Sequence, residues 1–321
     1  MEILAILAAV LAFGVAVLAA LVGYSWWVKR RVEAAVPPRG KFVHISTGPL
    51  HYVEKGQGPS IVMIHGLGAQ LGNFDQFLMD EMAKTHHCIA IDRPGMGWSE
   101  RPATAPANPR AQAAYIAEAI EALGLDRPLL VGHSLGGAIA LCLAIDFPEK
   151  TRGLALLAPF TSSGDRPSPA FSGLAIPRAW RRKFAAWTVA TPLGMWRSAP
   201  VFDLVFGPDR VPSGYGRAGG GMLGLRPGSF ENTSRDYLAS LRDIKWMQAN
   251  YAQLQVPVHI LFGRDDRILS PQLHGRDVAA SHDHIHYHEI EGGHMLPLTQ
   301  PDRCASFLRQ ADQADQADQA E

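Results

Sequence analysis

A serine stands between two glycines in the middle of the chain, in the pattern Gly-x-Ser-x-Gly. The pattern runs from Gly132 to Gly136, with Ser134 at its centre. It follows the apolar run of residues 129–131 and precedes an apolar stretch typical of a helix. Small flanking residues let a strand and a helix approach closely, and the sharp turn between them exposes the serine hydroxyl. Ser134 is therefore the predicted nucleophile.

A serine hydroxyl attacks a carbonyl carbon only when a base removes its proton and a third group orients that base. His294 follows a pair of glycines after a late predicted strand, and Asp265 and Asp266 follow the strand that ends near Gly263. The order serine, acid, histidine and the position of each after a strand fit a site at the carboxyl edge of a sheet. We predict His294 as the base and Asp266 as the acid, with Asp265 as the alternative.

The reaction would also need donors for the negative oxygen of the tetrahedral intermediate. One predicted donor is the amide of Leu135, directly after the nucleophile. The other is the amide of Leu67, in the loop that follows an early apolar strand. Gly66 in that loop, together with Gly132 and Gly136, supplies the space that these tight turns require.

The chain contains 13 histidines, so a metal site has to be considered. His284, His286 and His288 alternate along one predicted strand and would share a face. No carboxylate or cysteine at ligand spacing completes this set, which favours a polar strand face. The 3 cysteines are too few and too far apart for a disulfide framework or a zinc site. We expect no metal and no cofactor.

The N-terminus carries an uncharged apolar run over residues 3–28. With a rise of about 1.5 Å per residue, a helix of this length exceeds the ~30 Å hydrocarbon core of a bilayer. Glu2 precedes the run, and Lys29, Arg30 and Arg31 follow it, an arrangement unlike a cleaved signal peptide. We predict a single-pass anchor in the inner or plasma membrane. The positive-inside rule places the following domain in the cytoplasm.

The remaining chain alternates short β-rich apolar runs with helical patterns. This alternation predicts an α/β fold, with a mostly parallel sheet covered by helices on both faces. An irregular stretch interrupts the alternation and is too long for a simple loop, so we predict a mainly helical lid there. The predicted segments are the anchor and its basic flank (1–31), a proline-containing linker (32–40), the first part of the core (41–159), the lid (160–242), the second part of the core (243–311) and a disordered tail of DQA repeats (312–321).

The predicted lid is rich in aromatic and basic side chains. We hypothesise that it docks on anionic lipid and admits an acyl chain. Core packing of the aromatic side chains and a solvated basic face explain the same composition equally well. The aromatic residues are Trp180, Phe184, Trp187, Trp196, Phe202 and Phe206, and the basic ones are Arg178, Arg181, Arg182 and Lys183.

With these residues identified, the stretch 41–308 resembles the α/β-hydrolase superfamily. It is most similar to the lid-bearing branch that includes esterases, monoacylglycerol lipases, C–C bond hydrolases, dehalogenases and epoxide hydrolases. In that branch the loop 92–99 is a structural loop that lines the pocket, so the resemblance excludes Asp92 as the acid. Dehalogenases and epoxide hydrolases carry an aspartate as nucleophile, so Ser134 disfavours both activities. The matching segments are residues 65–68, 92–99, 132–137, 263–266 and 293–294.

The resemblance implies a membrane-anchored serine hydrolase that cleaves carboxylic esters, with medium or long acyl chains as the expected substrates. A C–C bond hydrolase or an acyltransferase with the same triad remains open. A non-catalytic membrane accessory protein, of the type that accompanies magnesium chelatase, also remains open. The formal net charge is +0, which offers no basic excess to bind nucleic acid. The sequence predicts no oligomeric state.

Overall fold

A sheet of eight strands forms the centre of the computed structural model, which describes the backbone of residues 1–164, 166 and 168–318. The strands are β1 (Lys41–Ile45), β2 (Gly48–Lys55), β3 (Ser60–Ile64), β4 (His87–Ile91), β5 (Leu129–His133), β6 (Gly153–Leu157), β7 (Val258–Gly263) and β8 (Ile285–Ile290). Their order in the sheet is β1-β2-β4-β3-β5-β6-β7-β8. The first two strands pair antiparallel, as do β2 and β4, and all other pairs are parallel. The predicted α/β architecture is confirmed.

Both faces of the sheet are buried, because successive side chains of a strand point to opposite sides. In β3, Ile61 and Met63 pack into one apolar core, whereas Val62 and Ile64 pack into the other. Helices cover both cores, and this explains why the central strands are continuous apolar runs. The helices of the two layers are α2 (Gly72–Asp75), α3 (Leu78–Met82), α4 (Pro109–Ala122), α5 (Leu135–Asp146), α10 (Asp277–Ala280), α11 (Leu296–Thr299) and α12 (Pro301–Asp318).

The lid lies between β6 and β7. Its helices are α6 (Ala179–Ala185), α7 (Thr191–Trp196), α8 (Ser198–Phe206) and α9 (Pro227–Ala249), and a π-helical turn at Ala186–Ala190 joins the first two. The boundary expected at residue 242 falls inside α9. This helix is unbroken because its C-terminal residues Ile244 and Met247 pack into the main core. The lid is therefore rooted in the domain that it covers.

The N-terminal helix α1 (Glu2–Ala35) is long and apolar enough to cross a membrane. It continues past residue 31, where the anchor was expected to end. Its last turns are not free, because Val28, Val32 and Val36 pack against Leu223 of the lid. The helix is therefore attached to the domain through its C-terminal turns.

Helix α12 extends to Asp318 and so includes residues 312–318, where the sequence predicted a disordered tail. The reason lies in one buried carboxylate. Asp312 accepts a hydrogen bond from Arg152 at 2.6 Å and lies 3.2 Å from Nε2 of His86. Ion pairing thus stabilises a helix whose repeats offer little apolar surface. Residues 319–321 of the predicted tail lie outside the described residues.

Candidate active site

Ser134 stands at the junction of β5 and α5, in a backbone conformation that only a few non-glycine residues adopt. Its φ is 54° and its ψ is −120°. Such strain occurs at functional sites where the surrounding structure enforces it. The enforcement here is steric: a Cβ on Gly132 would lie 2.6 Å from the Gly136 carbonyl oxygen, and a Cβ on Gly136 would lie 2.0 Å from the Ile64 carbonyl oxygen. Glycine at both positions therefore permits the turn.

Asp266 and His294 are brought together from loops that follow neighbouring strands. The Nδ1 atom of His294 lies 2.7 Å from Oδ2 of Asp266, and the two side chains are 5% and 0% exposed. The other carboxylate oxygen accepts hydrogen bonds from the amides of Ile268 and Leu269, at 2.8 and 3.0 Å. The carboxylate is therefore fixed on both oxygens. It holds the imidazole in one orientation, with the proton on Nδ1.

Two further contacts fix the loop that carries His294. The Gly293 amide donates to Oδ2 of Asp209, a lid residue, at 3.0 Å. On the other side, Nε2 of His133 lies 3.0 Å from the His294 carbonyl oxygen. Because a carbonyl only accepts, His133 carries its proton on Nε2. Burial, with the nearby His294, lowers the pKa of His133 to about 3, so this ring is a neutral support.

The imidazole of His294 lies beside the residue that precedes the nucleophile, with its ring centroid 4.9 Å from that of His133. Within the described residues, the Ser134 hydroxyl donates no hydrogen bond to His294. In structures without substrate such bonds are often long, and they tighten when the substrate binds. The structure thus places the predicted acid and base in contact, and the predicted nucleophile on the adjacent turn.

A mostly apolar cleft opens above Ser134. Leu67 and Leu135, whose amides are the predicted oxyanion donors, both line it. The two loops approach closely, because a Cβ on Gly66 would lie 3.0 Å from the Ser134 Cβ. The other lining residues are Phe160, Ser162, Ser163, Arg166, Ser168, Phe171, Tyr237, Ser240, Leu241, Ile268 and Leu269. Apolar side chains thus make up most of the lining, with the Ser134 side chain among them.

The loop after β4 has a structural role at Asp92, as the resemblance implied. Its carboxylate is fully buried and lies 2.7 Å from Nδ1 of His51. It also accepts hydrogen bonds from the amides of Leu71 and Trp98, at 2.8 Å each. These contacts join strand β2, the loop after β3 and the loop 92–99, so the Asp92 carboxylate has structural partners and does not contact His294.

The sequence did not predict the buried ion-pair network behind the cleft. Nη1 of Arg93 lies 2.8 Å from Oδ2 of Asp236, a residue of α9, and Nη1 of Arg101 lies 2.6 Å from the other oxygen. All three side chains are fully buried. Nε and Nη2 of Arg93 donate to the carbonyl oxygens of His65 and Gly66, both at 2.9 Å. The only sequence signal was the position of Arg93 in the loop 92–99, which matches the resembling family. Its partner Asp236 could not be predicted, because it lies 143 residues away.

The alternating histidines of β8 form a separate group beside α12. The rings of His286 and His288 lie 4.9 and 6.1 Å from that of His259 on β7. Burial and these two neighbouring imidazoles lower the pKa of His288. In the part of the chain that the structure describes, no group of three or more His, Cys, Asp or Glu residues could hold a metal ion.

The sequence model of the alpha/beta hydrolase fold family matches residues 59–301, which is more than half of the 321 residues. The chain belongs to the α/β-hydrolase family. The match contains the whole candidate site, from the Leu67 loop to the His294 loop.

This α/β hydrolase is similar to several characterised members. It is 40% identical over 106 residues to 2-hydroxymuconate semialdehyde hydrolase of Pseudomonas sp. strain CF600. That match covers 32% of this chain and 38% of the relative, so it spans well under half of the curated protein.

Two solved structures share the fold. A membrane phospholipase A described as a bacterial virulence factor superposes with a TM-score of 0.66 at 22% identity, over 98% of this chain and 99% of the other. A 2-hydroxy-6-oxo-6-phenylhexa-2,4-dienoate hydrolase from Rhodococcus sp. strain RHA1 superposes with a TM-score of 0.68 at 20% identity, over 85% and 97% of the two chains. At these identities the similarity concerns the fold alone. Proteins with this fold include hydrolases of several kinds.

Proposed function

We propose that this α/β hydrolase is a membrane-anchored serine hydrolase that cleaves carboxylic esters with medium or long acyl chains. One observation supports the proposal above all. Ser134, in a strained backbone conformation, lines an apolar cleft, and the nearby His294 is oriented by Asp266, whose carboxylate is held by backbone amides. Ser134, His294 and Asp266 supply the nucleophile, the base and the orienting acid. The Leu67 and Leu135 amides supply the donors for the oxyanion.

In the first half of the reaction, Nε2 of His294 removes the proton from the Ser134 hydroxyl as its oxygen attacks the ester carbonyl carbon. The carbonyl π electrons move to the oxygen, which the two amides stabilise as an oxyanion. Asp266 stabilises the imidazolium that forms. When the intermediate collapses, the carbon–oxygen bond to the alcohol breaks and the alcohol leaves with the proton from His294.

The second half repeats these steps with water. His294 removes a proton from a water molecule, whose oxygen attacks the acyl carbon of the acyl-Ser134 ester. Collapse of this intermediate releases the carboxylic acid and returns the proton to Ser134. The two half-reactions need only the ester, water and residues of this chain. The same acyl-enzyme would serve an acyltransferase if an alcohol replaced the water.

The assay for this proposal is hydrolysis of p-nitrophenyl esters of increasing acyl length by the full-length chain in detergent micelles. We expect kcat/KM to rise with acyl length, since each buried methylene is worth about 0.8 kcal/mol, or about fourfold. A fluorophosphonate probe should label Ser134. A folded protein that neither turns over any ester nor reacts with the probe would contradict the proposal and support a non-catalytic accessory role.

A C–C bond hydrolase is the second candidate. The observation in its favour is the 40% identity over 106 residues to a 2-hydroxymuconate semialdehyde hydrolase. A dienoate ring-cleavage product, followed by its visible absorbance, distinguishes the two functions. Turnover of that substrate with no ester hydrolysis would favour the second candidate.

We further propose that α1 anchors the hydrolase and that the domain lies in the cytoplasm. Arg30 and Arg31 place their guanidinium groups 5.4 and 4.9 Å from the ring centroids of Trp26 and Trp27. Stacked aromatic and basic side chains at the end of an apolar helix are typical of the membrane–water boundary. The ion pair between Glu33 and Arg226 of the lid, at 3.7 Å, supports an uncleaved helix that remains with the domain.

We also propose that one side of the lid contacts the bilayer that α1 crosses. The hydroxyl of Tyr24 lies 3.3 Å from Sδ of Met195, so α7 lies at the level where the apolar run of α1 ends. Helix α1 packs against other lid residues, but several apolar side chains of α6 and α7 remain exposed. We call these residues the lid face: Trp180 (64% exposed), Phe184 (54%), Leu193 (45%), Met195 (44%) and Trp196 (79%).

Not every aromatic or basic residue of the predicted lid belongs to this face. Phe206 is buried, and Phe202 packs against it and Tyr215 with ring centroids 5.9 and 5.8 Å apart. Arg182 is also buried and donates to the Ile176 carbonyl oxygen at 2.9 Å. These residues pack inside the protein, with Phe206 also against Met295 and Leu298 of the core, and they are not part of the lid face.

Replacement of Trp180 and Trp196 by serine should lower turnover of a long-chain ester embedded in anionic vesicles by about tenfold. The estimate follows from losing part of the apolar burial of two large side chains. Turnover of a short, water-soluble p-nitrophenyl ester should stay the same, because neither residue lines the cleft. The measurement compares both substrates in proteoliposomes that contain the full-length chain.

The matched control is Phe42→Ser, since Phe42 is 46% exposed on β1, at the sheet edge. It should change neither rate. Equal losses with both substrates, or an equal loss in the control, would contradict docking by the lid face.

A further inference from the structure

We propose that Arg93 and Asp236 are positioning residues for the oxyanion hole, and that through them the lid helix α9 controls the direction of the Leu67 amide. The inference rests on the proposed ester hydrolysis for its catalytic consequence. The geometry that supports it is independent of the substrate.

The peptide unit between Gly66 and Leu67 sets the direction of the Leu67 N–H. The one cis peptide bond within the described residues joins Gly207 and Pro208, so the 66–67 peptide is trans. In a planar trans unit the carbonyl and the N–H point in opposite directions. Nη2 of Arg93 donates to the Gly66 carbonyl oxygen at 2.9 Å, from the buried side of the loop. The Leu67 N–H therefore points away from Arg93, and Leu67 lines the cleft.

Arg93 holds this loop through more than one hydrogen bond. Nε of Arg93 donates to the His65 carbonyl oxygen, also at 2.9 Å, so a rigid guanidinium grips two successive carbonyls. The amide of Arg93 donates to Nε2 of His65 at 3.0 Å. A charged donor on the carbonyl also polarises the peptide, which makes its N–H a stronger donor to an oxyanion. The Gly66 carbonyl oxygen also lies 2.9 Å from Nδ1 of His65 and accepts from the Ala69 amide at 3.4 Å. Arg93 is the charged donor among the three, so we infer that it helps to fix the direction of the Leu67 amide and increases its strength as a donor.

The position of Arg93 depends in turn on the side chains that bind its guanidinium group. Its guanidinium is fully buried, where an unpaired charge would be costly. Asp236 balances it at 2.8 Å and accepts from Arg101 on its second oxygen, while Oε1 of Gln112 takes another bond at 2.5 Å. Asp236 belongs to the lid helix, whereas the other three belong to the core. Movement of α9 would therefore move the carboxylate on which Arg93 depends.

The test compares full-length Asp236→Asn and Arg93→Lys with the wild type in detergent micelles. We expect kcat for ester hydrolysis to fall by about 10–100-fold, part of the loss for a whole oxyanion donor, with KM changed less than about twofold. Affinity for a trifluoromethyl ketone, whose tetrahedral oxyanion occupies the hole, should fall in parallel with kcat. Amide hydrogen exchange in the loop 65–68 should become faster.

Asp312→Asn is the matched control, because Asp312 is another buried acid that pairs with an arginine distant in sequence. It lies on α12, where its carboxylate pairs with Arg152 and His86. It should lower the unfolding temperature while kcat, ketone affinity and exchange in the 65–68 loop stay at wild-type values. Arg93→Lys keeps the charge balance of the network, so it remains informative if Asp236→Asn does not fold.

The outcomes separate this inference from the proposed function. Folded variants that keep the kcat of the Asp312→Asn control would overturn the positioning role, even in an active esterase. A wild-type chain without ester turnover would instead overturn the proposed function. In that case unchanged exchange of the 65–68 loop in both variants would still overturn the positioning role, and faster exchange would support it.

Discussion

Ser134→Ala is expected to lower kcat for a long-chain p-nitrophenyl ester by on the order of 10⁵–10⁶. Without the hydroxyl no acyl-enzyme forms, and His294 has no nucleophile to activate. KM should change little, because Ser134 contributes only a few atoms to a cleft lined mostly by apolar side chains. Steady-state kinetics of the full-length chain check the rate, and loss of fluorophosphonate labelling checks the position of the nucleophile.

Ser163→Ala is the control for that variant. Ser163 lines the same cleft, and its hydroxyl is bonded to Oε1 of Gln248 at 2.9 Å. Its replacement should leave kcat within about twofold, as is usual for a residue outside the reacting group. If Ser134→Ala kept most of the activity, another residue would have to be the nucleophile and the proposed mechanism would be wrong.

Asp266→Asn should lower kcat by about 10⁴-fold. The two loop amides that donate to the carboxylate require an oxygen at that position, so the asparagine must turn its NH₂ group toward Nδ1 of His294. A donor there forces Nδ1 to act as the acceptor, which leaves the proton on Nε2. An imidazole protonated on Nε2 cannot take the proton of Ser134. The measurement is kcat at a pH where the wild type is fully active.

The neighbouring Asp265 provides a matched comparison, since the sequence left it as the alternative acid. Its side chain is exposed, and its amide bonds to the Gly292 carbonyl oxygen at 3.0 Å. Asp265→Asn should therefore leave kcat within about twofold, as expected of a surface substitution. A large loss in this variant, with activity retained in Asp266→Asn, would reverse the assignment.

The lid has two proposed roles in this hydrolase, and different sides of it carry them. Its exposed aromatic face lies beside α1, where a lipid ester would arrive from the bilayer. Helix α9 contacts Arg93 through the buried carboxylate of Asp236. If the lid shifted at the membrane, it would therefore change the direction of the Leu67 amide. The vesicle assay and the Asp236→Asn kinetics test these roles separately.

Local patterns determined much of this protein. A nucleophile turn needs glycines next to its serine because a Cβ there would collide with the adjacent backbone, and this need is visible in the residues around Ser134. The α/β class followed from the alternation of apolar runs, since strands buried on both faces must be apolar throughout. The length of the apolar N-terminal run likewise determined that α1 is long enough to cross a membrane.

Only the tertiary structure decided which distant groups meet. Asp236 and Arg93 are 143 residues apart, and nothing in either local sequence indicates the other. Composition alone predicted a disordered tail where α12 continues to Asp318, because composition does not show that Asp312 pairs with Arg152 of another element. The exposure of Trp196 and the burial of Phe206 are set by how the lid folds on itself and on α1. Composition and periodicity are local properties, whereas a buried ion pair depends on the distance between two side chains after folding.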